Sequence, residues 1–157
     1  MRANKKERRR VEIPEKMNYR SFTLKSKSDN SVVAVVTLAH ALKTFSDRDV
    51  FPWYLFIKSK TESPDLLGIS DDIEKEKVLD YAIKLNDLFN PNDSAPQALL
   101  VALQYQIGEN YILFQVHNSD HIDNILKEEI AGNKYSFNFE YKMEYDQNWE
   151  SVSDLLS

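Results

Sequence analysis

Two groups of side chains have the types and spacing to do chemistry. His117 and His121 stand four residues apart with Asp120 and Asp123 beside them, a spacing that suits two metal ligands on one helix face. A metal-dependent enzyme or hydrolase with its site near His117–Asp123 is therefore one reading. His117 closes a strand pattern and His121 opens a helix pattern, so the two rings need not converge, and His40 is far away in sequence. The second group is Asp71, Asp72, Glu74 and Glu76, which could act as paired acids. The same carboxylates crowd the first turn of a helix pattern, where they complement the dipole and cap the free N–H groups. Capping is the simpler reading. The chain has no cysteine, which excludes disulfides, zinc–thiolate sites and thiol nucleophiles. It has no Gly-x-Ser-x-Gly, phosphate loop or dinucleotide fingerprint, and nothing links its Ser and His residues as a triad. No catalytic residue and no cofactor is expected, with His117 and His121 left as weak metal candidates.

Charge supplies a third candidate. Residues 1–16 hold seven Lys or Arg against three Glu, a formal +4 that leaves −9 on the rest of a chain whose net charge is −5. Arg8, Arg9 and Arg10 are contiguous, and no hydrophobic pattern would dock them. The basic arm 1–17 is expected to be flexible, and any attraction it exerts on nucleic acid should be weak and sequence-independent. No apolar run reaches the length of a membrane span, and no apolar stretch follows the basic residues as in a secretory leader. A cytoplasmic protein with no membrane contact is expected.

These candidates must be carried by elements, and periodicity defines them. In Tyr135–Tyr145 every odd position is aromatic or Met and every even position is polar. Strand side chains alternate faces, so this stretch predicts a half-buried strand on a sheet covered on one side and largely open on the other. Tyr19–Lys25 alternates, and Val32–Leu38 is rich in β-branched residues. With Ser28-Asp-Asn30 between them they predict a hairpin, followed by a helical turn; a helix running to Phe45 competes for residues 31–45. Trp53–Ile57 and Tyr111–Val116 are apolar enough for central strands, and Ala98–Leu103 continues to Tyr105. Val78, Ala82, Leu85 and Phe89 make one helical stripe over 71–89, and Ile122, Ile125, Leu126 and Ile130 make another over 119–131, capped at Ser119. Trp149, Val152, Leu155 and Leu156 predict a short tail helix, with Trp149 packed against the domain.

From residue 53 onward the order is β-α-β-β-α-β, a split βαβ arrangement with its first and third strands central and its second and fourth at the edges. RNA-recognition domains share this order. Tyr111–Val116, on the relevant strand, lacks their Lys/Arg-Gly-aromatic-Gly spacing, and the body is acidic.

Three stretches also carry a resemblance: Asp65-Leu-Leu-Gly68 before an acidic helix, Gly108-Glu-Asn-Tyr-Ile-Leu-Phe114, and Asp146-Gln-Asn-Trp149 followed by Leu155-Leu156. Through them the chain from Tyr19 to Leu156 resembles the bacterial domain of unknown function 695 family and, more weakly, the regulator of ribonuclease E activity B, which has a ferredoxin-like fold. The basic arm and the terminal Ser157 depart from that pattern. The resemblance implies a fold and no catalytic motif, and it marks Asp146 and Trp149 as its most recognisable residues.

The sequence thus predicts a two-layer ferredoxin-like α+β sandwich over residues 18–157, with an N-terminal β-hairpin and a short C-terminal helix. The expected function is a non-catalytic binding or regulatory module acting on a protein partner. Candidate binding residues are Arg8, Arg9, Arg10, Asp146 and Trp149.

Overall fold

The computed structural model describes residues 11–92, 94–132 and 138–157. It is α+β, with a six-stranded sheet in which every neighbouring pair is antiparallel. The strands are β1 (Tyr19–Lys25), β2 (Val32–Ala39), β3 (Trp53–Lys60), β4 (Ala98–Gln106), β5 (Glu109–Val116) and β6 (Glu140–Tyr145), in the order β1-β2-β4-β5-β3-β6. Helix α1 (Asp72–Phe89) joins β3 to β4, α2 (Ser119–Gly132) joins β5 to β6, and α3 (Ser153–Leu156) lies near the C-terminus. Residues 31–45 resolve as strand β2 followed by a 3-10 turn at His40–Thr44.

Both long helices lie on one face of the sheet. Val78, Ala82, Leu85 and Phe89 of α1 and Ile122 and Leu126 of α2 share a buried cluster with Leu55, Ile57, Leu103, Ile112 and Phe114. Tyr141 and Met143 join its margin, as the alternation in that strand requires, and Phe139 packs on Tyr81 at 5.5 Å. Tyr135 and Phe137 lie outside the described residues. Asn118, one residue before the expected cap, closes the start of α2. Its side-chain oxygen accepts the N–H groups of Asp120 and His121, while Ser119 is already helical.

Two expectations need correction. The sheet is not open on its other side. Val36, Leu38, Leu99, Val101 and Leu113 form a second core with Leu42, Phe45, Phe51, Trp149, Val152 and Leu156. Short 3-10 turns, the C-terminal tail and Val11, Ile13 and Met17 of the expected arm cover it. Such covers carry no long period, so hydrophobic patterning does not reveal them. Strand β4, expected at an edge, lies inside the sheet. The hairpin extends the sheet there, because β2 pairs with β4 from Ala34–Gln106 to Leu38–Ala102.

Candidate functional site

Several of the residues first suspected of chemistry have structural partners, and the others are exposed. His117 Nδ1 sits 2.7 Å from the Val50 carbonyl; a carbonyl can only accept, so the proton is on Nδ1. His117 also packs edge-on against Phe51. The His121 ring is exposed. Asp123 accepts the Tyr141 hydroxyl and a 2.8 Å ion pair from Lys127. The Lys127 ammonium, then the Tyr141 hydroxyl, hold its carboxyl below the usual carboxylate range. Among the described residues no group of three or more His, Asp or Glu could hold a metal ion. Asp71 caps α1, its carboxylate accepting Glu74 N–H at 2.8 Å.

Asp146 and Trp149 build the tail. Trp149 is fully buried, and its indole N–H donates to the carbonyls of Arg48 (3.0 Å) and Phe51 (2.9 Å). The Arg48 guanidinium lies 5.2 Å from the ring centroid. Trp149 adopts φ 57°, an uncommon conformation for a bulky residue. Asp146 secures that turn: its carboxylate accepts the N–H groups of Glu150 and Ser151, and its carbonyl accepts that of Trp149. Trp149 therefore has no exposed surface, whereas the half-buried Asp146 carboxylate is engaged in the turn. Arg8, Arg9 and Arg10 lie outside the described residues.

A different region combines a fixed backbone with apolar side chains in water. The loop between β3 and α1, residues 61–71, is tied at both ends and in the middle. Glu74 of α1 is buried, and its carboxylate accepts Glu62 N–H (2.9 Å) and Ser63 N–H (2.8 Å). Asn110 of β5 reaches the same carboxylate at 3.4 Å and accepts the Ser70 hydroxyl at 2.7 Å. Asp65 Oδ1 accepts the N–H groups of Leu67 and Ile69, and Asp65 N–H donates to the Ile69 carbonyl. Gly68 carries φ +86°, a conformation that favours glycine, and a Cβ there would meet Ile107 Cγ2 at 3.1 Å, so that side chain would have to give slightly. Gly108 N–H donates to the Gly68 carbonyl and Thr61 N–H to the Gly108 carbonyl, which fastens the loop to the β4–β5 turn.

From this frame Leu66 projects fully into solvent and Leu67 is 52% exposed. Ile107, in the turn against Gly68, is 55% exposed, and Ile73, on the first turn of α1, is 70% exposed. Residues 61–76 carry six carboxylates and one ammonium. The region is an apolar tip in an acidic setting. Sequence reading picked out Asp65-Leu-Leu-Gly68 as a resemblance but not as a site. The available signal was two leucines between a turn-forming Asp and a Gly, outside any helix or strand period.

The other sheet face offers a half-buried aromatic row. Tyr54, Phe56 and Tyr111 stand 5.9 and 6.1 Å apart between successive rings. This is where RNA-recognition domains stack bases, on the first and third strands of the repeat. Here Lys58 is shared between Glu109 (3.6 Å) and Glu140 (3.2 Å), and Lys142 opposite Phe56 is paired with Glu144 (3.2 Å), so three carboxylates stand against two ammonium groups. Those carboxylates disfavour phosphate. Among the described residues no helix is long and apolar enough to cross a membrane. The chain matches no family model, no curated protein and no solved structure.

Proposed function

We propose that this protein is a non-catalytic binding module that engages a protein partner through the tip formed by Leu66, Leu67 and Ile107. One observation carries the proposal: a backbone held by part-buried hydrogen bonds to Glu74 and Asp65 presents Leu66 entirely to water. Exposed apolar side chains on a fixed frame favour association, because little conformational entropy is lost when they are covered. We also read β4-β5-β3-β6 with α1 and α2 as a ferredoxin-like unit widened by the β1–β2 hairpin. The support is the order of these four strands and the placement of both helices on one face. The resemblance to the domain of unknown function 695 family and, more weakly, to the regulator of ribonuclease E activity B accords with this fold reading and carries no catalytic motif.

The test compares wild type with the double variant Leu66→Ser/Leu67→Ser in affinity purification from one extract, beside metal analysis of the purified chain. A stoichiometric partner that disappears with the variant is the expected result. A partner kept by the variant overturns the assignment of the tip. Tightly held metal together with hydrolytic turnover replaces the binding reading with the enzymatic one.

A further inference from the structure

We infer that the surface received by the tip is an apolar depression rimmed by Lys or Arg on a partner protein. This deepens the proposed function and rests on it. Leu66 and Leu67 supply the apolar contact, with Ile107 beside Gly68 widening it. The charge around them chooses the partner. Glu62 and Asp65 lie in the loop, and Asp72 and Glu76 lie on the first two turns of α1, all exposed. Of the neighbouring cations, Lys75 has its ammonium 5.8 Å from the Tyr105 ring and exposed Lys77 acts on the Asp71 carboxylate, which leaves the carboxylates in excess. Lys60 just outside the loop stands opposite Glu109 in the sheet register.

Asp65 adjoins the leucines in the chain and Glu62 lies in the same loop, so docking the leucines brings carboxylates toward the partner, and such charges act over the Debye length of about 8 Å at physiological salt. An acidic or uncharged rim would leave them unpaired or repelled, whereas a cationic rim pairs them and speeds encounter. The same argument disfavours an anionic lipid surface, although exposed leucines alone would suit a membrane. The apolar pair sets how long the complex lasts, and the carboxylates set which partner is approached. Because the frame is fixed by Glu74, Asp65 and Gly68, the leucines arrive already ordered.

The experiment places the photo-crosslinking residue p-benzoylphenylalanine at position 66 of the full chain, expressed in its source cells. Position 128, on the exposed side of α2, is the control. The captured peptide is mapped, and the captured protein is purified and titrated against wild type, Leu66→Ser/Leu67→Ser and Glu62→Gln/Asp72→Asn/Glu76→Gln at low and physiological salt. The expected capture is a single protein, crosslinked within an apolar site that has at least two neighbouring Lys or Arg. The leucine variant should bind at least tenfold more weakly at both salts. The charge variant should lose at least fivefold at low salt and show a flattened salt dependence. Capture at a site without cations, or a charge variant that binds like wild type, overturns the cationic rim and leaves the binding module standing. Capture of lipid, capture of a second copy of this chain, or no capture above position 128 overturns both.

Discussion

The loop at Asp65–Gly68 and the tail at Asp146–Trp149 are built by the same local device with opposite results. In each, an aspartate carbonyl accepts the N–H of the third residue on, Gly68 at 3.1 Å and Trp149 at 3.0 Å. In each, the aspartate carboxylate accepts two further N–H groups downstream. In each, the third residue on takes a positive φ, +86° for Gly68 and 57° for Trp149. The two residues at the crest differ: the tail has Gln147 and Asn148, both exposed, and the loop has Leu66 and Leu67. The tail therefore serves as an internal control. Polar residues satisfy this turn, so its geometry does not call for leucine at the crest. What the tail buries is its third residue, and what the loop displays is its first two.

The largest effect expected on breaking this pair is at the buried partner. Trp149→Ala removes a fully buried ring, leaves the carbonyls of Arg48 and Phe51 without its N–H, and takes the stacking surface from Arg48. The expected cost is about 4 kcal/mol, as for other large aromatic truncations. Urea denaturation followed by far-UV circular dichroism reads it as a lowered midpoint. An unchanged midpoint would show that the tail is peripheral and would remove the contrast.

The same contrast explains what was legible in the sequence. The helix stripes, the β2 strand with its following turn and the burial of Trp149 follow from spacing and residue type, because each element spans enough residues to show a period. The cover of the second sheet face does not, because Phe45, Phe51, Val11, Ile13 and Met17 reach it from short irregular segments. The hairpin's place beside β4 depends on long-range pairing that no local pattern encodes. Burial of Glu74 was hidden for a related reason. In sequence it is one of several acids in a first turn, and only the returning loop places the N–H groups of Glu62 and Ser63 on it. The exposure of Leu66 follows from Gly68 and from the contact with the β4–β5 turn, neither of which composition reveals.

Next in size is the anchor of the displayed partner. Glu74→Ala leaves the N–H groups of Glu62 and Ser63 without their side-chain acceptor and takes one of two acceptors from the Asn110 amide, which also reaches Ser59 Oγ. Charge-assisted hydrogen bonds of this kind put the loss at about 2 kcal/mol. Amide hydrogen exchange at residues 62–70 should accelerate more than exchange in β5. Equal protection in variant and wild type would show that the loop holds its shape without Glu74.

Gly68→Ala is a smaller change at the same place. The positive φ costs about 1 kcal/mol for a residue with a Cβ, and the added methyl must displace Ile107 from its 3.1 Å approach. Thermal unfolding should shift slightly downward, and the tip should bind its partner more weakly although Leu66 and Leu67 are both intact. Full affinity in this variant would mean that the leucines act without a fixed frame.

The smallest expected effect on stability separates the two turns most sharply. Leu66→Ser/Leu67→Ser makes the crest of the loop chemically like the crest of the tail. Leu66 is fully exposed, so its truncation opens no cavity and forfeits little burial. Leu67 is half in water, and the hydrogen bond from its backbone N–H to Asp65 is kept by serine. Substitutions at such surface positions change stability by about 0.5 kcal/mol or less. Serine at these crest positions also suits a turn at least as well as leucine. The double variant should therefore unfold at the wild-type midpoint, while losing the partner that position 66 captures. If its midpoint fell as far as that of Trp149→Ala, the leucines would be holding the fold together, and the loop and the tail would be two versions of the same structural clasp.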